Sequence, residues 1–202
     1  MSNFDFIVAP EHDDLHGKNV ITSKGALHYL TSREIEDNHN YLIDKIDKDK
    51  DYLLLILGGP NKYYDYDNQN LTNIFNKIKI ILNNNSLKAI IIPSMRTPKK
   101  TIDLASGTIG KENLVIKSVD KKAYLSGLSL AKYIVVTCDS TSMISEAAMT
   151  GKPIYVADLP PKRHDQRFKK FRELFNRLNI TKNLNEKLEI WTYKSLNETS
   201  RI

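Results

Sequence analysis

The sequence predicts a doubly wound α/β domain built on a parallel, Rossmann-like sheet, and three features of the chain say so. From residue 52 to about residue 178, short apolar runs alternate with segments of helical spacing, as in strands joined by helical crossovers. The apolar runs are continuous rather than alternating, which marks strands covered on both faces. Glycine and proline punctuate the junctions, at Gly58-Gly59-Pro60, Pro98, Gly110, Gly151 and Pro153.

Taken in order, residues 4–9 read as a short apolar strand. A polar loop over 10–19 follows, crowded with Glu11, His12, Asp13, Asp14 and His16, then a weakly apolar segment over 20–30 around Gly25. Residues 38–51 are charged and read as a connection. The run 52–57 is the first regular strand, and 61–70 is a Tyr- and Asp-rich loop. Leu71, Ile74, Phe75, Ile78, Ile81 and Leu82 share one face of a helix over 71–82. A strand covers 89–93, and Pro98 opens a helix in its first turn that Gly107 and Gly110 close. Next come a strand over 114–116, a helix over 123–132, a strand over 133–137, a helix over 141–149 and a strand over 154–157. Residues 167–178 form a basic amphipathic helix with Phe168, Phe171, Leu174, Phe175 and Leu178 on its apolar side. The tail over 188–202 is mixed, with an end expected to fray. The expected division is 1–51, resembling the last strand and linker of another domain, and 52–202, the α/β domain.

The chain has 202 residues, 41% of them hydrophobic and 27% charged, which suits an ordinary globular protein with a good core. No apolar run approaches the roughly 20 residues that span a bilayer. Residues 1–10 lack the charged-then-apolar pattern of a signal peptide. A cytoplasmic location is therefore expected, peripheral to a membrane if the basic helix touches one. The only cysteine, Cys138, cannot form an internal disulfide and fits a reducing compartment. It reads as a small buried residue at a strand end. The net charge is +6. Basic residues dominate most clearly from Lys162 to Arg177, through Arg163, Arg167, Lys169, Lys170 and Arg172. An anionic membrane surface or a protein partner suits this stretch, and so does a solvated helix face. Part of the basicity goes with a Lys-, Asn- and Ile-rich composition, and nucleic acid is not the expected partner.

In open α/β sheets, ligands bind beyond the carboxyl ends of the strands. Four loops lie at such ends: Gly58-Gly59-Pro60, Ser94-Met95-Arg96-Thr97-Pro98, Asp139-Ser140-Thr141-Ser142, and residues 158–162. The third is the richest. It opens a helix whose free N–H groups and dipole favour an anion, and its hydroxyls add donors. Met143 and Glu146 follow in the first turns. A capping box from Ser142 needs Glu or Gln at position 145, where Ser145 stands. Glu146 is thus not explained as a cap, and its carboxylate suits the vicinal hydroxyls of a ribose; a surface Glu on a plainly capped helix is the competing reading. Gly58 and Gly59 let backbone approach a phosphate closely, or simply end a strand. No G-x-G-x-x-G or Walker pattern is present. Arg96, with Thr97 beside it, offers a planar guanidinium to phosphate, at a helix start that otherwise disfavours a cation. Glu11, His12, Asp13 and His16 match no standard zinc spacing, so no metal is expected. His12 reads as a residue of an interdomain cleft or of an ordinary polar loop.

These pieces together resemble the mitochondrial fission family of plants and its bacterial relatives. The matching stretches are Val8-Ala9-Pro10-Glu11-His12-Asp13, Gly17-Lys18-Asn19-Val20, Gly25-Ala26-Leu27-His28, Gly58-Gly59 and Ser94-Met95-Arg96-Thr97-Pro98. They continue with Val136-Thr137-Cys138-Asp139-Ser140, Ser142-Met143-Ile144-Ser145-Glu146-Ala147, Thr150-Gly151-Lys152-Pro153 and Trp191. The resemblance covers nearly the whole chain and is most specific over 139–153. It implies a GT-B-type fold of two Rossmann-like domains with a cleft between them, and a glycosyltransferase-like protein. The helix bearing Glu146 is similar to that of sugar-nucleotide 2-epimerases and of the transferase that builds lipid II. By this resemblance Ser140, Thr141 and Ser142 would hold a diphosphate and Glu146 the ribose, with Arg96 and Gly59 on the phosphate side. The substrate would be a nucleotide-diphosphate sugar, with no cofactor, an acceptor the sequence does not name, and His12 the candidate base. The plant member is linked to recruiting a dynamin-related protein, so a non-catalytic adaptor or a remnant is the alternative, and a 2-epimerase a further one. Family members carry a further stretch of chain before Pro10-Glu11-His12-Asp13, so only a remnant of the first domain is expected. Lys122-Ala123-Tyr124 stands where the family has Asn-Pro-Tyr.

Overall fold

The computed structural model describes residues 4–202. Near its start, β1 (Ile7–Pro10) and β2 (Val20–Ser23) pair in parallel as a small sheet of their own. The remaining strands are β3 (Tyr52–Leu57), β4 (Lys88–Pro93), β5 (Leu114–Val115), β6 (Tyr133–Thr137), β7 (Ile154–Ala157) and β8 (Thr181–Asn183). They form one sheet in the order β5-β4-β3-β6-β7-β8, with every neighbouring pair parallel. Every residue of β3, β6 and β7 is buried, which is why these runs carry no alternation in the sequence. Each fully buried Leu of β3 contributes about 2 kcal/mol of apolar burial.

The helices are α1 (Ser32–Asp37), α2 (Asn68–Asn85), α3 (Lys99–Ile109), α4 (Lys121–Leu130), α5 (Thr141–Ala147), α6 (Gln166–Arg177) and α7 (Glu198–Arg201). The apolar face predicted for the first long helix is the buried face of α2. Asp67 caps α2 by accepting from Asn70 N at 2.9 Å, and Ser86 ends it in the left-handed region at φ 53°. Gly127 on α4 lies against the sheet, where a Cβ would stand 2.9 Å from Leu54 Cδ1. Among the described residues no helix is long and apolar enough to cross a membrane.

Five of the structure's departures from expectation bear on the argument. The first strand covers Ile7–Pro10 rather than 4–9. The stretch before β3 hides structure: α1, ahead of the charged connection, carries a capping box between Thr31 and Glu34, and within the connection a 3-10 turn over His39–Lys45 buries Leu42 completely against α4. One buried Leu in a polar segment gives no period to read. Pro98 caps α3 from outside, with extended backbone at ψ 143°, and Gly107 lies inside the helix. The helix over 141–149 splits, because α5 tightens after Ala147 into a 3-10 turn that Gly151 closes at φ 68°. Last, the tail does not fray. Glu198 is buried, and its carboxylate accepts from Lys24 N and from Arg201, both at 2.7 Å. Trp191 packs edge-on against Tyr155 and donates to Asn179 O. The N-terminal segment is held on its other side by α5: a Cβ on Gly25 would stand 2.7 Å from Ser145 Oγ, which also accepts from Ala26 N at 3.0 Å.

Candidate functional site

The strand order reverses between β3 and β6, and in open parallel sheets that switch point opens a crevice at the carboxyl ends. Gly58-Gly59 leaves β3 there and Cys138-Asp139 leaves β6. The Asp139 side chain is fully buried. Its Oδ2 accepts from Gly59 N at 3.1 Å and from Arg96 Nη2 at 2.9 Å, and its Oδ1 accepts from the Tyr66 hydroxyl at 2.6 Å. Three donors offset the cost of burying that charge. Arg96 Nη1 donates to Gly59 O at 2.9 Å, so one guanidinium ties the loops after β3, β4 and β6 together.

This lock explains the glycines. A Cβ on Gly58 would stand 2.2 Å from Asp139 Oδ2, and one on Gly59 would stand 2.1 Å from the Arg96 backbone carbonyl. Close approach, rather than an unusual dihedral, demands glycine at both positions. The Thr97 hydroxyl turns inward to the Leu57 and Gly58 carbonyls and accepts from Ser94 N at 2.8 Å. Gly58 N donates to Thr137 Oγ1 at 2.8 Å. The Tyr66 hydroxyl bridges Thr137 and Asp139, and burial beside that carboxylate raises its pKa far above the usual phenol value.

Ser140 caps α5, its Oγ accepting from Met143 N at 3.4 Å. Thr141 is partly exposed and Ser142 exposed in the first turn. Glu146 follows more than a turn later, and its Oε2 accepts from the Tyr124 hydroxyl at 2.7 Å. Burial and the adjacent Glu146 carboxylate hold the Tyr124 phenol protonated well above its ordinary range. Between these groups lies a cavity of about 420 Å³, in the size range of small-molecule sites. Arg96, Tyr124, Ser140, Met143 and Glu146 line it, with Ser94, Met95, Val119 and Lys121 at the same wall.

Of the sequence-derived candidates, Thr141 and Ser142 stand in the first turn of α5 outside the cavity lining, and the rest separate into three groups. Arg96, Ser140, Met143 and Glu146 meet at the cavity. Gly58, Gly59, Thr97 and Asp139 form the buried lock next to it. His12 stands elsewhere. Its ring packs edge-on against Phe171 of α6 at 5.1 Å, its side chain is buried, and neither ring nitrogen has a hydrogen-bond partner. Burial lowers its pKa, more than nearby Asp13 raises it. The basic helix is matched from within the chain: Arg167 pairs with Asp13, Lys170 with Asp14 at 2.9 Å and Arg177 with Glu11 at 3.5 Å. Arg172 reaches Asp165 at 3.2 Å.

Two tyrosines escaped the sequence reading. Tyr66 lies in the loop that reads as Tyr- and Asp-rich, a reading that gives no single tyrosine a role. Tyr124 was noticed only as part of Lys122-Ala123-Tyr124. For Tyr66 the available signal is the cluster Tyr63-Tyr64-Asp65-Tyr66, because buried tyrosines need a partner for the hydroxyl.

Comparison with known proteins bears on the fold and the family. RP120 of Rickettsia prowazekii (strain Madrid E), an uncharacterized protein, is 29% identical over 206 residues, covering 95% of this chain and 56% of its own length. Among solved structures, the UDP-GlcNAc 2-epimerase of Neisseria meningitidis bound to UDP-GlcNAc shares 15% identity at a TM-score of 0.50, over 84% of this chain and 49% of that one. The S. aureus MnaA-UDP structure shares 13% at a TM-score of 0.47, over 83% and 48%. The chain thus spans about half the length of these relatives, and the fold is that of a Rossmann-like, GT-B-type half. The family model for mitochondrial fission ELM1 matches residues 1–202, and the chain belongs to that family.

Proposed function

We propose that residues 52–202 are the nucleotide-binding domain of a glycosyltransferase-like protein that takes a nucleotide-diphosphate sugar in the cavity between α4 and α5. In this reading residues 1–51 are the end of a first domain and its linker. The observation that carries it is the Tyr124–Glu146 hydrogen bond on that cavity, which Arg96 also lines. A carboxylate fixed by a buried phenol through one oxygen can accept from ribose hydroxyls with the other. Arg96 spends two of its five donors on the lock, and its side chain is 41% exposed. Its free edge and the first amides of α5, with Ser140, Thr141 and Ser142, would receive the diphosphate. Catalysis would then rest on positioning the donor and stabilising the departing diphosphate. His12 is left out of this chemistry, because its nitrogens are sealed against Phe171 and it lines a different hollow.

A sugar-nucleotide 2-epimerase would use the same binding half, which the Neisseria structure shares in fold, and would differ in residues outside the matched half of the relatives. An adaptor docking through α6 would need a free basic face. Three of those cations are already paired with Glu11, Asp13 and Asp14, so we rank it behind nucleotide binding.

The test is calorimetric titration of the chain with UDP, GDP, CDP and ADP. Saturable binding of one of them, weakened roughly tenfold or more in Glu146→Ala as a charge-assisted hydrogen bond requires, supports the proposal. No saturable binding by a folded chain, or unchanged affinity in that variant, refutes it.

A further inference from the structure

The stretch Thr150-Gly151-Lys152-Pro153 stands out in the sequence and takes no part in lining the cavity. Lys152 nonetheless reaches back to α4. Its Nζ donates to Leu128 O at 2.8 Å and to Ser129 O at 2.5 Å. Both are among the last carbonyls of α4, which a helix leaves without donors of its own. The helix leaves its axis at Ala131, in extended backbone at ψ 141° and with no glycine to close it. Lys152 therefore caps α4 from outside, at the end where carbonyls and dipole favour a cation. Burial lowers the pKa of this ammonium to about 8. With no carboxylate paired to it among the described residues, the two carbonyls carry the compensation for burying the charge.

The same two segments meet a second time. Tyr124 lies one turn before Leu128 on α4, and its hydroxyl donates to Glu146 at 2.7 Å. Glu146 lies shortly before Lys152, and the link between them is held closely. Thr150 Oγ1 donates to Ala147 O at 2.7 Å and accepts from Lys152 N at 3.2 Å. The tail fastens the same turn, Leu196 N donating to Ala148 O at 3.1 Å and Ser195 Oγ to Met149 O at 2.5 Å. The Tyr124–Glu146 bond and the Lys152 cap thus close a ring between α4 and this link. On its other side α4 is held by the 3-10 turn over His39–Lys45, with Ser126 Oγ donating to His39 O at 2.8 Å and accepting from Leu42 N at 3.1 Å. Those bonds keep α4 on the sheet without fixing it relative to α5.

We propose that Lys152 is a positioning residue of the candidate site: it pins the carboxyl end of α4 to the turn after α5, and so keeps the Tyr124 hydroxyl on Glu146. The consequence for ribose binding rests on the nucleotide reading above, and the pin itself does not. Without the cap α4 can tilt at that end, and a hydrogen bond weakens steeply once its donor is misaligned. Lys152→Met keeps most of the apolar stem that packs in place and removes every donor.

The pin is read first without any nucleotide. In chain labelled with 13C at the tyrosine Cζ, the Tyr124 resonance is assigned by its loss in Tyr124→Phe. Lys152→Met should displace it, as Glu146→Gln does. Lys77→Met, which removes a lysine donating to the Leu184 carbonyl near α2, should leave it in place. Thermal melts establish that each variant folds; should Lys152→Met fail to fold, Lys152→Gln, one atom shorter and uncharged, carries the same test. Calorimetry with the tightest-binding of UDP, GDP, CDP and ADP then reads the consequence. Lys152→Met should weaken binding by about 3–10-fold, the worth of one hydrogen bond. Added to Tyr124→Phe it should cost nothing further, because both remove the same contact. An unmoved Tyr124 resonance overturns the proposal, as does one moved equally by Lys77→Met, or full additivity of the two losses in binding. A chain that binds none of the four overturns the nucleotide reading instead, and the resonance alone decides the pin.

Discussion

Replacing Asp139 by Asn tests the buried lock at the switch point. The carboxylate accepts from Gly59 N, Arg96 Nη2 and the Tyr66 hydroxyl, and its side chain is fully buried. An amide keeps the shape and one acceptor but turns the other oxygen into a donor. If the NH2 replaces Oδ1, the Tyr66 phenol must turn its proton to Thr137 Oγ1, and one hydroxyl donor of that pair is left over. If it replaces Oδ2, it meets Gly59 N–H and the guanidinium. Either way at least one buried donor goes unpaired, which costs about 1–3 kcal/mol. The lost ion pair adds less, about 0.5–1 kcal/mol, because Arg96 is partly exposed and solvent screens it. The sum is about 2–4 kcal/mol, or a fall of roughly 5–12 °C in Tm for a chain of this size. Urea titration and thermal melting followed by circular dichroism read both quantities, provided the transitions are two-state. Asp65→Asn, which breaks only the exposed pair with Lys162, is the control and should cost less than about 0.5 kcal/mol. A cost as small as that for Asp139→Asn would refute the assignment of the lock as a structural tie.

Other perturbations probe neighbouring parts. Gly59→Ala forces a methyl against the Arg96 carbonyl at 2.1 Å and should destabilise by about 1–3 kcal/mol through overpacking, measured by urea unfolding. His12 is buried with a pKa lowered from 6.5, so the unfolded chain binds the proton more readily. Stability should therefore fall as pH drops below 6.5, and His12→Leu should flatten that acid limb in melts between pH 7 and 5, all values set by the reference His pKa; an identical limb in the variant would discard the burial argument. Tyr124→Phe removes the hydroxyl that fixes Glu146 and should weaken nucleotide binding by about 3–10-fold, the worth of one hydrogen bond, while Tm moves little; calorimetry reads the first and a melt the second.

The sheet was legible because burial on both faces writes itself into composition. The runs over 52–57, 133–137 and 154–157 match β3, β6 and β7 residue for residue. The ends were illegible because single long-range contacts hold them. Glu198 anchors the tail by accepting from Lys24 N, 174 residues away, and Leu42 anchors the connection by filling one site against α4. Neither leaves a period. At the site, the absence of a capping partner singled out Glu146, yet Tyr124, which holds it, lies 22 residues earlier on another helix.

Asp139 shows where residue type stops informing. A carboxylate at a strand end, beside glycines and near an arginine, reads as part of an anion site, and the same four residues build a lock of which only Arg96 reaches the cavity. Burial alone separates the two. The consequence constrains how Arg96 can act. Swinging its guanidinium wholly toward a phosphate would strand a buried carboxylate, a loss of about 3–5 kcal/mol, more than the 1.5–3 kcal/mol a charged hydrogen bond returns. If the proposed diphosphate binds, Arg96 would meet it with its remaining donors while still holding Asp139 and Gly59. A nucleotide that bound in this way would tighten the three loops it touches instead of loosening them.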